Sequence, residues 1–282
     1  MPSLSNLICP LDGADLEKHS KLYTCPNGHS FDIARQGYIN LLPAQYKRSK
    51  NPGDSKEMVL ARKQFLNAGF YQPVADKILS VIKNYYQNKK PLSILDAGCG
   101  EGYYLNYIAS SILNDINEHR LFGLDISKEA ILEAAKQNKN ITWVVGTNRQ
   151  PPLTERSIDV ILCVFGFQSF EGFKKIIDKN GVVIIIEPGD SHLQELRDLI
   201  YNDKKVKNSH DSSIAIKNDF QETETESLNF KIVVNDQALI KNLLVMTPHF
   251  YRANKQGLEK VMALNSIELT IDVTLRVYKL KL

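Results

Sequence analysis

With 282 residues, 43% of them hydrophobic and 24% charged, the chain can bury one sizeable core plus a smaller module, which excludes wholesale disorder. A net charge of +3 is mildly basic and permits an RNA partner without requiring one, because clustering decides binding more than the total does. Apolar runs fall short of the ~20 residues of a membrane span and the first residues lack a signal-peptide core, so a soluble cytoplasmic protein with no membrane partner is expected.

Residues 1–45 are turn-rich, with Cys, Gly, Pro and His close together. Cys9-x2-Asp12 precedes Cys25-x3-His29, which places two thiols, a carboxylate and an imidazole in two turn-like pairs suited to a small zinc knuckle. Such a module has little core of its own, so a metal can contribute most of its folding energy. The competing reading is a decayed finger whose packing survives without metal, since cysteine is usual where Asp12 stands. Cys99 and Cys163 lie in apolar, strand-like surroundings, which does not fit a secreted disulfide framework.

Residues 46–90 open with a basic, breaker-rich stretch to Asp54 and continue as two helices. Met58, Ala61, Phe65 and Leu66 share one face of the first; Val74, Ile78, Val81, Ile82 and Tyr85 share one face of the second, over Val74–Tyr86. Lys47, Arg48 and Lys50, with Arg35, Arg62 and Lys63, are the candidate phosphate-contact patch, although a charge run also fits a plain solvated face.

From Pro91 strands and helices alternate: strands over Ser93–Asp96, Arg120–Asp125, Ile141–Val145, Ile158–Val164 and Val182–Glu187, with helices from about Glu101 and Ser127. The rhythm predicts a parallel sheet with helices on both faces. Residues 204–218 read as a polar loop. Phe220–Val234 and Ser266–Tyr278 then alternate apolar and polar residues around a helix near Asp236–Met246, predicting antiparallel strands.

The loop Ile94-Leu95-Asp96-Ala97-Gly98-Cys99-Gly100-Glu101-Gly102 leaves a strand and enters a helix, and its glycines let the backbone pass close under a ligand. Asp125, ending the next strand, can accept hydrogen bonds from ribose hydroxyls. The spacing G-x-G-x-G after an acidic residue differs from the nicotinamide fingerprint G-x-G-x-x-G, and Glu101 would repel a diphosphate. Together with a doubly wound sheet ending in an antiparallel pair, this half resembles the S-adenosylmethionine-dependent methyltransferases, in which the acid before the loop organises the methionine end. Gly146-Thr147-Asn148-Arg149 then lies where the adenine edge is expected, and Glu187–His192 leaves the fifth strand at the sheet edge where ligands collect. An ordinary polar loop explains the first of these nearly as well, and a lone histidine such as His192 is usually a surface residue.

Further motifs narrow the resemblance. Cys25-Pro26-x2-His29-x-Phe31-Asp32, Gly37-Tyr38-x-Asn40-Leu41-Leu42, Gly53-Asp54-x2-Glu57-Met58, and Ala61-Arg62-x2-Phe65-Leu66-x-Ala68-Gly69-x-Tyr71-x-Pro73 are similar to the bacterial 23S rRNA guanine-N1-methyltransferase family. Asp96–Tyr104, Gly189-x2-His192-Leu193 and Met246-Thr247-Pro248 extend the similarity over nearly the whole chain. The resemblance implies a class I Rossmann-like α/β fold with a mostly parallel seven-stranded sheet, an antiparallel C-terminal strand and a zinc-ribbon-like N-terminal module. It divides the chain into an RNA-recognition module (1–45), a basic helical linker (46–90) and a cofactor-binding domain (91–282). It implies Zn2+ on Cys9, Cys25 and His29 with Asp12 in the fourth place, and cofactor contacts at Tyr71, Gly100, Glu101 and His192 beside Asp96, Gly98, Gly102, Asp125 and Asn148. It also implies 23S rRNA as substrate and a homodimer.

The sequence departs from the family twice. One departure is Asp12. The other follows the fourth strand, where a Tyr-Ala-Pro-like segment facing the target base is replaced by Phe165-Gly166-Phe167-Gln168. Aromatics there can stack a base and Gln168 can bond its edge, or both rings can be core. The function implied is methyl transfer to N1 of a guanine in a 23S rRNA loop. Alternatives are another RNA position, a small molecule, or a non-catalytic RNA-binding relative. N1 lies on the Watson–Crick edge, so the base must be unpaired or flipped, and no residue is identified as the base that takes its proton.

Overall fold

The computed structural model describes residues 6–47, 49–86, 91–111, 119–201 and 212–281. Arg48 of the basic stretch, and residues 202–211 including most of the loop read at 204–218, lie outside them.

Three short strands, β1 (Glu17–Lys18), β2 (Leu22–Thr24) and β3 (Ser30–Asp32), form an antiparallel sheet in that order. β4 (Ile39–Asn40), α1 (Lys56–Asn67) and α2 (Gln72–Tyr86) lead into the alternating part. That part runs β5 (Ser93–Ala97), α3 (Tyr103–Ser111), β6 (Arg120–Asp125), α4 (Lys128–Gln137), β7 (Thr142–Val145), β8 (Ile158–Val164), α5 (Phe170–Ile176), β9 (Ile177–Pro188) and α6 (Gln194–Ile200). The tail adds α7 (Ser213–Lys217), β10 (Phe220–Val234), α8 (Gln237–Val245), α9 (His249–Arg252), α10 (Lys255–Met262) and β11 (Ile267–Leu280).

Local chemistry sets the helix starts. Ser55, Ser127 and Asp236 each accept a backbone N–H three residues on, from Met58, Ala130 and Leu239, so α1, α4 and α8 begin capped. α3 begins at Tyr103 and not at Glu101, because Gly102 sits at φ +87°, outside the helical region. On α1 the buried residues are Val59, Ala61, Phe65 and Leu66, so Val59 takes the core position read for Met58. α7 lies where a loop was read; it is a single short turn whose one buried side chain is Ala215, too short to carry a periodic signal.

The large sheet has eight strands in the order β10-β11-β9-β8-β5-β6-β7-β4, which corrects the expected seven. β11 runs antiparallel to β9 and β10; the other pairings are parallel. The eighth strand is β4, which pairs with the edge strand β7 through Ile39↔Val144 and Asn40↔Val145.

The strands alternate between two cores. Ile94, Trp143, Val160, Leu162, Val182 and Ile184 pack with α2, α3, α4, α6, α8 and α10. Leu95, Val144, Ile161, Cys163, Val183 and Ile185 pack on the opposite face with Phe170 and Phe173 of α5 and with Leu7, Cys9, Leu16, Tyr23 and Cys25. The period of two explains the near-continuous apolar strands. It also places the N-terminal module: that module shares its core with the sheet instead of standing on a small core of its own. No helix among the described residues is long and apolar enough to cross a membrane.

Candidate functional site

The carboxyl ends of β5 and β6 meet at the glycine loop. Gly98, Gly100 and Gly102 take φ of +93°, +56° and +87°, values that favour glycine. Gly98 N and Cys99 N donate to Leu124 O at 2.7 and 3.1 Å, which binds the turn to β6. Asp125 accepts Gly100 N on one oxygen at 2.9 Å and Ser127 N on the other at 2.7 Å, so its carboxylate is fixed beside the loop with a lone pair on each oxygen still to spend.

Asp96 is buried, and both its carboxyl oxygens are without a hydrogen-bond partner; the same holds for Oε2 of buried Glu101. Unsatisfied buried acids are costly, and the cost appears in their protonation. Burial, then the Asp125 and Glu101 charges, push Asp96 up to about 8. Burial pushes Glu101 up to about 7, against the pull of Arg62. Orphaned acids over a glycine cradle suit a ligand that brings a cation, such as the ammonium and sulfonium of S-adenosylmethionine, and not a diphosphate.

Two residues from distant parts of the chain close one side. Tyr71 Oη and His192 Nε2 lie 3.1 Å apart, and Nδ1 of His192 accepts the Asp272 backbone N–H at 3.2 Å. Burial holds His192 down at about 4, hence neutral. Because Nδ1 is an acceptor, the imidazole proton sits on Nε2 and is donated to Tyr71 Oη. Phe165 packs edge-on to Tyr71 at 6.1 Å and tilted against His192 at 5.6 Å.

Asn148 Nδ2 donates to Phe167 O at 2.9 Å, joining the two loops after β7 and β8. Neither Phe165 nor Phe167 is core: they are 43% and 55% exposed. Gln168 Nε2 donates to Glu187 Oε1 at 2.7 Å. Arg149 lies over the Phe167 ring, 4.7 Å from its centre. Sequence reasoning had not linked Arg149 to that aromatic, nor singled out Glu187 and Asp272 as partners of Gln168 and His192; only contact across the sheet edge reveals them.

The basic residues divide. Lys47, Lys50 and Arg35 are exposed. Lys63 instead pairs with Glu133 at 3.4 Å. Arg62 turns inward, donating to Asp54 through Nη1 and to Met246 O through Nη2 at 3.1 Å. Burial alone would weaken its charge, but Asp54, Glu101 and Asp125 outweigh that and keep it protonated. Of the phosphate patch read from sequence, Arg35, Lys47 and Lys50 are thus exposed, whereas Arg62 and Lys63 are paired within the fold.

In the N-terminal module one donor atom each from Cys9, Asp12, Cys25 and His29 lies within 4.8 Å of all the others. His29 Nδ1 is 3.5 Å from Cys9 Sγ, 3.4 Å from Cys25 Sγ and 2.9 Å from Asp12 Oδ2. The edge between sulfur and nitrogen in a tetrahedral zinc site is about 3.6 Å, from bonds of about 2.3 and 2.05 Å, so the S2NO donor set fits the ion. Asn27 Nδ2 and the Ala14 N–H donate to Asp12 at 3.0 and 2.9 Å, hold its carboxyl well below the usual range and orient it. Burial pushes the Cys9 thiol up to about 11, so its thiolate forms only with a cation's help.

Comparison with known proteins agrees with this geometry. Residues 7–50 match a zinc-ribbon family described as "RlmA, N-terminal", and residues 94–183 match "Methyltransferase domain". A Bacillus subtilis (strain 168) protein provisionally named a 23S rRNA (guanine-N(1)-)-methyltransferase is 28% identical over 275 residues, 94% of each chain. A Micromonospora griseorubida protein with the same provisional name is 30% identical over 212 residues, 69% of this chain and 70% of its own. The 23S rRNA (guanine(748)-N(1))-methyltransferase of Streptomyces fradiae is 29% identical over 195 residues, 69% of this chain and 67% of its own. The chain therefore belongs to the S-adenosylmethionine-dependent 23S rRNA (guanine-N(1))-methyltransferase family.

Proposed function

We propose that the protein transfers a methyl group from S-adenosylmethionine to N1 of a guanine in an unpaired segment of 23S rRNA. The observation that carries this reading is Phe165. It is a bulky residue at φ +52°, and its 43%-exposed ring leans on His192 and Tyr71 beside the glycine loop. A left-handed conformation costs about 1–2 kcal/mol for a side chain of this kind. That conformation turns the ring to the mouth of the pocket, where its exposed face can take a flat base.

In this reading Tyr71, Asp96, Gly98, Gly100, Glu101, Gly102, Asp125, Asn148 and His192 hold the cofactor. The bound cofactor supplies an electrophilic methyl on a sulfonium centre. The residues' task is alignment: in-line displacement needs N1, methyl carbon and sulfur held in one geometry. Phe165 and Phe167 stack the extruded base, and Gln168 bonds its Watson–Crick edge. Cys9, Asp12, Cys25 and His29 hold zinc, residues 1–45 recognise RNA, and 46–90 link them to the cofactor domain at 91–282. Lys47 and Lys50 meet phosphates.

The test is incubation with labelled S-adenosylmethionine and unmodified 23S rRNA, followed by mapping of reverse-transcription stops. One strong stop at a guanine supports the reading. Label confined to small molecules, or cofactor binding without transfer to RNA, refutes it.

A further inference from the structure

We propose that Arg62 is a positioning residue of the cofactor pocket: its guanidinium ties Asp54 to the Met246 carbonyl across the glycine loop and so holds residues 53–54 against Ser127, beside Gly100 and Asp125. The inference rests on reading that loop as the cofactor site.

The geometry forms one chain of contacts. A Cβ placed on Gly100 would stand 3.7 Å from Arg62 Nη1 and 3.8 Å from its Cδ, so the side chain lies directly over the loop. Asp54, which accepts from Arg62 Nη1, also accepts Ser127 Oγ on its backbone carbonyl at 2.8 Å. Gly53, at φ +81°, packs so closely there that a Cβ would stand 2.8 Å from Ser127 Cβ and 2.9 Å from Ser127 N. Ser127 N is one of the two donors that fix Asp125. On the other side Arg62 reaches Met246 O at the end of α8, and α1 and α8 are joined again by Asn242 Nδ2 donating to Gln64 Oε1 at 2.7 Å. Arg62 thus connects two segments far apart in sequence to the ribose-side carboxylate.

Charge gives the tie a second consequence. Glu101 is faced by Arg62, Asp125 and Asp54, and its own charge is felt by Asp96, Cys99, Tyr103 and Tyr104. Among the groups acting on Glu101, Arg62 is the cation that offsets burial and the neighbouring acids. Removing it leaves Glu101 protonated to higher pH. With Nη1 on the Asp54 carboxylate and Nη2 on the Met246 carbonyl, both outer nitrogens of the guanidinium are engaged within the fold.

Isothermal titration with S-adenosylmethionine, run beside RNA binding over a salt series, separates the two roles. Circular dichroism and Tm verify folding. Arg62→Gln is expected to weaken cofactor binding tenfold or more at pH 7, with the deficit narrowing at pH 8.5 as Glu101 ionises, and to leave RNA affinity and its salt slope unchanged. Arg62→Lys keeps the charge but not the two-ended tie and should fall between. Asp54→Asn, which loses the ion pair while keeping Arg62, should weaken the cofactor severalfold and serves if Arg62→Gln does not fold. Unchanged cofactor affinity in whichever folds, or lost RNA affinity with a shallower salt slope in Arg62→Gln, overturns the assignment. Failure of the wild-type protein to bind the cofactor would instead overturn the reading of the pocket.

Discussion

Tyr71 Oη receives the Nε2 proton of His192 at 3.1 Å, a bond between the turn before α2 and the turn after β9. With its acceptor lone pair used there, the hydroxyl's own proton is free to be given to a ligand. Tyr71→Phe keeps the ring against Phe165 and His192 and removes both that donor and the acceptor of the His192 Nε2 proton. Cofactor affinity should fall about fivefold to tenfold, the worth of one hydrogen bond of about 1–1.5 kcal/mol, with Tm lowered by a few degrees because the buried His192 N–H loses its acceptor. Since His192 is held neutral, with a pKa of about 4, binding should show no transition near pH 6.5 from this residue. Calorimetric titrations from pH 5.5 to 8 check both, and unaltered affinity in the variant would remove Tyr71 from the pocket.

Asp96 predicts a trade between stability and binding. In the folded, ligand-free chain it releases its proton only at about 8, against 3.8 for an ordinary aspartate. The unfolded chain therefore gives up that proton first, and as pH rises from about 4 to about 8 the folded state loses stability relative to the unfolded one. Asp96→Asn removes this loss. Its Tm should match wild type near pH 3, below the unfolded pKa, and exceed it by several degrees, roughly 1–3 kcal/mol, at pH 8, while cofactor binding is largely lost. Thermal melts of both proteins across that range are decisive; a variant less stable at pH 8 would mean Asp96 has an undetected partner.

Much of this arrangement was legible in the sequence. β6 and β8 fall on the residues that alternation marks, and Gly98, Gly100 and Gly102 need the positive φ that a G-x-G-x-G loop suggests. β4 was not legible: two residues have no period, and their partner strand is about a hundred residues on. The inward turn of Arg62 was not legible for a different reason. Composition gives a charge but not its direction, and Asp54 and Met246, which turn the guanidinium inward, are joined to it only by the fold. Phe165 and Phe167 could be read either way, because an aromatic after a strand fits a core or a mouth equally well until exposure is known.

The metal site should respond to Asp12. A tetrahedral site gains affinity for zinc when thiolate replaces carboxylate, so Asp12→Cys should bind zinc more tightly and withstand chelators that strip the wild type. Cys25→Ser should lose the ion. Cys9 and Cys25 pack into the same core as Leu95, Ile161 and Phe173, so metal loss should lower Tm without unfolding the large sheet. Far-UV circular dichroism should hardly change, cofactor affinity should stay within twofold, and RNA affinity should fall. Metal analysis of the three proteins tests the ligand set; zinc retained in Cys25→Ser would exclude it.

Gln168 tests the base-reading role proposed for it. A carboxylate can only accept, so Glu187 draws the amide nitrogen of Gln168 toward itself and leaves the amide carbonyl as an acceptor for other donors. The N1–H and amino group of guanine are donors, whereas N1 of adenine is an acceptor, so this polarity favours guanine. Gln168→Glu sets two carboxylates face to face and should lower methyl transfer to RNA at least tenfold, about 1.4 kcal/mol, with cofactor affinity unchanged. Adding Glu187→Gln restores a donor opposite the new carboxylate, and Arg276 keeps Glu222 at 3.0 Å as its partner when Glu187 loses its charge. Transfer should then recover in part. If the double variant is no better than Gln168→Glu, the hydrogen bond to Glu187 is not what orients the reading group.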